Sequence, residues 1–231
     1  YYTIELEKNK FTQGKKHGNL ALTKLLLNSI KLSNVSCLDI GTQEAIVPVI
    51  MKQLGASEVV AYDRLDLSER IKAVKYSYQV DFDYLCGFQL NDLPVNLQKL
   101  NKFRNKLAIF DFVNFSGIFY HMINPLGLLG LARGFCRVGG LFLIETAAIQ
   151  SQEPLMYFNM KGELYGLFSN YFIPTTNLLD YFLRMIRLEP LSFAYIGNHK
   201  DSSKIIRLAV LCKSLNETAS LFPDDRWINS D

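Results

Sequence analysis

Val35-Ser-Cys-Leu-Asp-Ile-Gly-Thr-Gln-Glu-Ala45, then an apolar run, then Gly55-Ala-Ser-Glu-Val-Val-Ala-Tyr-Asp63, is the stretch on which the fold turns. Residues 36–40 read as a short buried strand. Gly41 permits a sharp turn and close approach of the backbone to a ligand. Residues 45–54 read as an apolar helix, with Pro48 in its first turn, where a missing N–H costs nothing, and Gly55 as its stop. Residues 59–62 form a second strand with Asp63 at its tip. Strand, turn, helix, strand and terminal acid make the first β-α-β unit of a nucleotide-type site. Asp39 stands just before the turn, and Asp63 stands where a carboxylate can accept two hydrogen bonds from a ribose diol.

Outward from this unit the pattern repeats. A dinucleotide pyrophosphate needs closely approaching glycines, and positions 43 and 45 are Gln and Ala, which favours a ribose ligand without phosphate. Leucines and Ile30 at helical spacing predict a helix over 19–32, packed just before the first strand. A helix over 68–76 and a strand within 82–90 follow. Residues 106–115 give a fourth strand, 126–136 a Leu-rich helix, and Val138-Gly139-Gly140 a turn into a fifth strand over 141–146. Residues 147–174 break the repeat with a long aromatic stretch, a length that in a compact domain points to function. A helix over 175–187, capped by Thr175 or Thr176, precedes strands over 191–196 and 205–212. Their short connection allows an antiparallel hairpin. The expected architecture is one α/β domain: a doubly wound, Rossmann-like sheet of seven strands with an antiparallel strand in its C-terminal hairpin. In such sheets ligands lie beyond the carboxyl ends of the strands, where Asp39, Asp63, Phe88, Ser116, His121 and Glu145 fall.

Composition narrows the possibilities. The 231 residues are 49% apolar with a formal net charge of +3, enough for a large core and too little charge for a strong field toward nucleic acid or anionic membrane. No run approaches a membrane span. The N-terminus lacks both Met and the layout of a signal peptide; a cytoplasmic location is expected, and whether the chain is a fragment of something longer stays open. Cys37, Cys86, Cys136 and Cys212 have no Cys-x-x-Cys spacing and read as free buried thiols. With only three histidines, His17, His121 and His199, no metal site is expected. Residues 1–18 read as a lid or flap, or as a cap over the sheet edge, and 215–231 as a polar tail anchored by Trp227.

Several motifs carry a resemblance: Phe110-Asp-Phe-Val-Asn-Phe-Ser-Gly-Ile-Phe-Tyr-His121, Asn124-Pro125-Leu126, Gly139-Gly140-Leu-Phe-Leu-Ile-Glu145-Thr146 and Tyr171-Phe-Ile-Pro174. In this order and spacing they resemble a class I S-adenosylmethionine-dependent methyltransferase, of a branch similar to the tRNA wobble-uridine carboxymethyltransferase-like group. The resemblance spans roughly residues 2–212. It implies S-adenosylmethionine as cofactor and S-adenosylhomocysteine as product. Asp39, Gly41, Thr42 and Gln43 would lie along its amino-acid and sulfonium part, Asp63 and Arg64 at the ribose, and Phe88 and Gln89 at the adenine. Ser116 and Gly117 would line it beside the methyl group. Tyr120 and His121 would face the acceptor. The residues of the turn depart from the family pattern at Gln43 and Ala45, and no motif places a cation for the extra carboxylate of a carboxymethyl cofactor.

Methyl transfer is an in-line displacement in which the protein supplies alignment and sometimes a base. His121, with an unperturbed pKa of about 6.5, is the candidate base for a phenol or amine acceptor, and Tyr120 a partner that bonds or gates it. Tyr157, Asn159, Tyr165 and Tyr171 are the candidate acceptor lid. The low charge and the aromatic insertion favour a small-molecule acceptor, such as a secondary metabolite. A tRNA substrate would use Lys99, Lys102, Arg104 and Lys106. A non-catalytic interaction protein would bind no cofactor.

Overall fold

A computed structural model describes residues 5–7, 10–11, 18–104, 107–162, 164, 169–197 and 205–217, with side chains from residue 20 onward. Tyr165, Lys106, His17, His199 and Trp227, the 1–4, 8–9 and 12–17 parts of the expected flap and the tail beyond 217 lie outside the described residues.

The central sheet has seven strands: β1 (Ser36–Ile40), β2 (Glu58–Asp63), β3 (Asp83–Cys86), β4 (Phe110–Ser116), β5 (Cys136–Ile149), β6 (Leu188–Gly197) and β7 (Ile205–Ser214). Their order is β6-β7-β5-β4-β1-β2-β3. Strands β1 to β5 run parallel, and β7 runs antiparallel to both β5 and β6. The expected doubly wound sheet with its terminal hairpin is therefore present, and strand order reverses between β1 and β4, where ligands seat in this architecture.

Helices α1 (Gly18–Leu27), α2 (Ile46–Gln53) and α3 (Ser68–Tyr78) pack on one face. There Leu22, Leu27, Val49, Met51, Ile71 and Val74 meet Cys37, Ala61, Phe112 and Leu143. Helices α4 (Leu93–Leu97), α5 (Pro125–Gly134) and α6 (Thr176–Met185) cover the other, where Leu93, Leu129 and Leu179 meet Leu38, Val113 and Ile144. Two-residue periodicity sends alternate side chains to opposite cores, as burial on both faces requires.

Several boundaries differ from expectation for local reasons. Helix α1 stops at Leu27, not at 32, because the Ser29 hydroxyl donates to the Leu26 carbonyl at 2.7 Å and closes a turn. Leu32 reaches the core from that turn. Strand β3 ends at Cys86 because Gly87 takes φ +82°. Val138-Gly139-Gly140 is not a turn before the fifth strand but an irregularity inside it. Phe110 pairs with Cys136 while Phe112 pairs with Leu141. Gly139 has φ +77°, and a Cβ on Gly140 would come within 2.7 Å of the Asp111 carbonyl oxygen. Glycine lets the chain bulge and resume pairing. Helix α4 has no counterpart among the expected elements.

Strand β5 continues three residues past 146, still paired to β7, before the insertion begins. Within it Met156–Phe158 and Phe172–Pro174 form an antiparallel ribbon. Its base is closed by a bridge between Ile149 and Thr175 and by two hydroxyls. Thr175 Oγ1 donates to the Glu153 carbonyl at 2.6 Å, and Thr176 Oγ1 donates to the Ser151 carbonyl at 3.0 Å. Thr175 Oγ1 also accepts from Leu178 N as the cap of α6, the job expected of it. Among the described residues, no helix is long and apolar enough to cross a membrane.

Candidate active site

The site arises where one face of the sheet changes from apolar to polar at the carboxyl ends of its strands. On the face covered by α1–α3, Cys37 gives way to Asp39, Ala61 to Asp63, Phe112 to Asn114 and Ser116, and Leu143 to Glu145. Each step is two residues, so the polar groups stay on the face of the core residues they follow. Asp39 pairs with Asn114 across β1 and β4, and Ser116 with Glu145 across β4 and β5.

Asp39 is 1% exposed. Its Oδ1 accepts from Asn114 Nδ2 at 2.7 Å, while Oδ2 has no hydrogen-bond partner. Burial pushes its carboxyl up to about 6, against the opposing pull of the neighbouring Thr42 hydroxyl and the Asn114 amide. Thr42 Oγ1 is likewise buried and completes no hydrogen bond. Asn114 Oδ1 accepts from the Ser116 hydroxyl at 2.6 Å, and Ser116 Oγ accepts from Thr23 of α1 at 3.2 Å. These residues line a pocket whose apolar walls are Leu20, Ile46 and Val47.

The turn holds the shape that three glycines would give. Gly41, Gln43 and Ala45 have φ of +78°, +49° and +58°. A Cβ on Gly41 would come 2.6 Å from the end of the Ile118 side chain, which would have to move; the positive φ is what calls for glycine here. Gln43 and Ala45 keep the left-handed backbone at a cost of roughly 1–2 kcal/mol each. The departures at 43 and 45 change the strain of the loop and not its path. Gln43 is exposed, so Gln43→Gly is expected to raise stability by about 1 kcal/mol in urea denaturation. The amides of Gly41 and Thr42 both donate to the Tyr62 carbonyl, at 2.8 and 3.0 Å, so neither is turned outward as a phosphate donor.

Asp63 Oδ2 accepts from Gln43 N at 2.8 Å and Oδ1 from Leu65 N at 2.9 Å. A carboxylate has about four acceptor positions, so capacity remains on each oxygen. Arg64, the next residue, is exposed. Beyond β3, Phe88 is half-buried and packs on Tyr62 with ring centroids 5.0 Å apart. The Tyr62 hydroxyl donates to the Phe88 carbonyl at 2.8 Å, and Gln89 is exposed beside it.

Beyond β4, Gly117 has φ +74° and its N–H donates to the Glu145 carbonyl at 2.8 Å. Tyr120 is buried, with the Arg207 guanidinium 4.8 Å from its ring centroid. Arg207 donates to both oxygens of the fully buried Glu145: Nε to Oε1 at 2.6 Å and Nη2 to Oε2. The His121 ring lies 4.4 Å from that of Tyr120. Its Nδ1 is 3.0 Å from the Ser169 carbonyl. A carbonyl only accepts, so Nδ1 carries the proton and Nε2 the free lone pair of the neutral ring. His121 stays accessible, yet its neighbours shield it enough that desolvation lowers its pKa below 6.5. Arg207 and Arg64 add to this, and the Ser169 carbonyl opposes it.

The ribbon clamps this pair. The Tyr171 amide donates to the Tyr120 carbonyl at 2.6 Å. Tyr157 is 46% exposed and Phe158 57% exposed, with Phe158 packed on Phe172. Asn159 is buried and engages the chain with both ends of its amide: Nδ2 donates to the Asn170 carbonyl and Oδ1 accepts from Leu164 N. It braces the loop. Thr23, Asn114 and Arg207 bond to these candidate residues and are given no role in the motif reading. The one signal that would find Asn114 is the Phe112-x-Asn114-x-Ser116 spacing. Cys86 is half-buried rather than buried, its thiol 3.4 Å from Asp66 Oδ1, and all four cysteines are free. Among the described residues, no cluster of three His, Cys, Asp or Glu could hold a metal.

Comparison with known proteins agrees with this geometry. A family model described as a methyltransferase domain matches residues 13–180. A tRNA U34 carboxymethyltransferase of Shewanella loihica is 29% identical over 161 residues, which are 66% of this chain and 43% of that protein. The chain therefore spans less than half the length of this relative. Among solved structures, the 1,6-didemethyltoxoflavin-N1-methyltransferase of Burkholderia thailandensis, with 1,6-didemethyltoxoflavin and S-adenosylhomocysteine bound, aligns with a TM-score of 0.60 at 15% identity, over 84% of this chain and 76% of that one. The N-terminal domain of EvdMO1, solved with S-adenosylhomocysteine and D-fucose, aligns with a TM-score of 0.61 at 16% identity, over 92% and 90%. Both alignments speak for the fold. The buried acceptor at Asp39 Oδ2 and the tight turn at Gly41 fit a nucleoside that carries an ammonium group and no phosphate. With a family match over well over half its length, the chain belongs to the methyltransferase-domain family, in the class I, S-adenosylmethionine-dependent fold.

Proposed function

We propose that the chain moves a methyl group from S-adenosylmethionine to an oxygen or nitrogen of a small-molecule acceptor. When bound, the cofactor supplies the methyl on a sulfonium leaving group. Asp39 would hold its ammonium group, Asp63 its ribose hydroxyls, and the Phe88–Gln89 loop its adenine. His121 Nε2 would take the proton that the acceptor loses. Desolvation, joined by the nearby positive charges of Arg207 and Arg64, keeps this nitrogen unprotonated to lower pH than an ordinary histidine.

The observation that carries the small-molecule reading is the position of Lys102, within the cationic cluster. Lys102 bridges Glu58 at 2.5 Å and Asp83 at 2.6 Å, the first residues of β2 and β3. It is neutralised and lies at the amino ends of the strands, opposite Tyr120 and His121. The surface that meets those two is the aromatic ribbon instead, consistent with a pocket of mostly apolar lining. The name of the Shewanella relative favours tRNA as the second reading. Production of S-adenosylhomocysteine is measured with a metabolite extract passed through a small-pore filter and, separately, with protein-free tRNA. Turnover with the filtrate alone is the expected result, and turnover with tRNA alone overturns it.

His121 provides a second check. In wild type, the rate is expected to fall on the acid side with an apparent pKa below 6.5, because protonation removes the lone pair. His121→Gln is expected to retain S-adenosylhomocysteine binding by calorimetry and to lose roughly 10²–10⁴-fold in rate together with that acid limb. An unchanged profile would remove His121 from the mechanism.

A further inference from the structure

The polar chain behind Asp39 has a direction. Thr23 Oγ1 donates to Ser116 Oγ at 3.2 Å, Ser116 Oγ donates to Asn114 Oδ1 at 2.6 Å, and Asn114 Nδ2 donates to Asp39 Oδ1 at 2.7 Å. Every proton points from α1 toward the carboxylate. Thr23, Asn114 and Asp39 are each at least 98% buried. The chain ends on a group that can only accept, with Asp39 Oδ2 buried and unpartnered at the wall of the pocket. A buried carboxylate oxygen without a donor is costly, and with only the Thr42 hydroxyl beside it the ionised oxygen has capacity to accept from a donor group of a ligand in that pocket.

The polarity also fixes the amide of Asn114. Turned over, its oxygen would face Asp39 Oδ1, acceptor against acceptor, and its NH₂ would face a hydroxyl already committed to donating. The Ser116 proton is directed at Asn114 because the amide oxygen that faces it can only accept, and the Ser116 oxygen in turn accepts from Thr23. Thr23 lies 16 residues before Asp39 in sequence, on a helix outside the β-α-β unit.

We propose that Thr23 is a positioning residue for the cofactor's ammonium group. Acting through Ser116 and Asn114, it holds the Asp39 carboxylate with Oδ2 free to accept from that group. The inference needs the cofactor assignment but not the identity of the acceptor.

The test compares two ligands by calorimetry on the whole chain. S-adenosylhomocysteine carries the ammonium group, and 5′-methylthioadenosine keeps the nucleoside without the amino-acid part. Thr23→Val removes the hydroxyl at nearly constant shape. It is expected to weaken S-adenosylhomocysteine about tenfold and to leave 5′-methylthioadenosine within about twofold. Thr23→Ser, which restores the hydroxyl, is expected to recover the first affinity. Ser116→Ala, the next link, is expected to reproduce the selective loss, and it carries the test if Thr23→Val fails to fold. Equal weakening of both ligands would reduce Thr23 to packing and overturn the proposal, as would no weakening of either. If wild type binds neither ligand, the cofactor site itself falls, and the positioning role falls with it.

Discussion

Asp39→Asn is expected to make the protein more stable and unable to hold its cofactor. In the folded chain, burial moves this carboxyl from 3.8 to about 6. At 1.36 kcal/mol per unit, the ionised form weighs against folding by about 3 kcal/mol. The sign follows from proton counts: between these two pH values the folded state binds more protons than the unfolded state. The contribution of Asp39 to stability is therefore greatest below pH 3.8 and is lost as pH rises through about 6. Urea denaturation of the ligand-free chain should show wild type losing stability from this group between pH 4.5 and 7, with Asp39→Asn lacking that part of the loss and more stable at pH 7. The same substitution removes the charge that receives the ammonium group. Truncating one side of a buried charged contact costs about 2–5 kcal/mol, so calorimetry at pH 7.5 should find S-adenosylhomocysteine binding weakened by about 100-fold or more. A variant that loses stability and keeps its affinity would show that Asp39 serves the fold and not the ligand.

Arg207→Ala should have the opposite character, a large loss of stability from a residue beside the candidate base. It leaves Glu145, fully buried between β4 and β7, as an unpaired charge. Removing one partner of a buried pair costs about 3–5 kcal/mol, which for a chain of this size lowers the melting temperature by roughly 10–15 °C. The cation over the Tyr120 ring is lost too. The neutral double change Glu145→Gln/Arg207→Gln should recover most of the loss, because amides can hydrogen-bond without the cost of burying an ion. By contrast, the exposed Lys72–Glu69 pair on α3 should tolerate Lys72→Ala without measurable effect. Failure of the double change to recover stability would place the cost in lost packing, since the Arg207 stem is itself largely buried.

How much of this was legible in the sequence depends on distance along the chain. Strand β1 and its turn could be read because apolar run, glycine and acid are contiguous, and Asp63 because the β-α-β unit fixes where its strand ends. The bulge at Gly139–Gly140 reads as a turn, because paired glycines allow either outcome. Only the register with Phe110 and Phe112 decides between them. Thr23 and Arg207 were out of reach, and the partner of Asn114 with them, for a related reason. Thr23 is 93 residues from its partner Ser116, Asn114 is 75 from Asp39, and Arg207 is 62 from Glu145. Such pairs exist only once the strand order is known. Asn159 shows the reverse error of emphasis. A polar residue in an aromatic insertion looks like a ligand contact, while backbone that leaves the sheet needs internal partners of its own.

The closed base of the insertion has an engineering consequence. The Ile149–Thr175 bridge and the hydroxyls of Thr175 and Thr176 bring the ends of residues 150–174 together, and β5 and α6 hold those ends whatever lies between them. Loop-closure entropy grows only with the logarithm of length, so a longer or shorter ribbon changes that cost by about 0.6 kcal/mol per doubling, provided that the buried contacts of Leu164 and Ile173 with Tyr120 are kept. The segment behaves as a cassette seated in a fixed socket. Swapping it offers a route to new acceptors in which the half of the molecule built on Asp39 and Asp63 stays untouched.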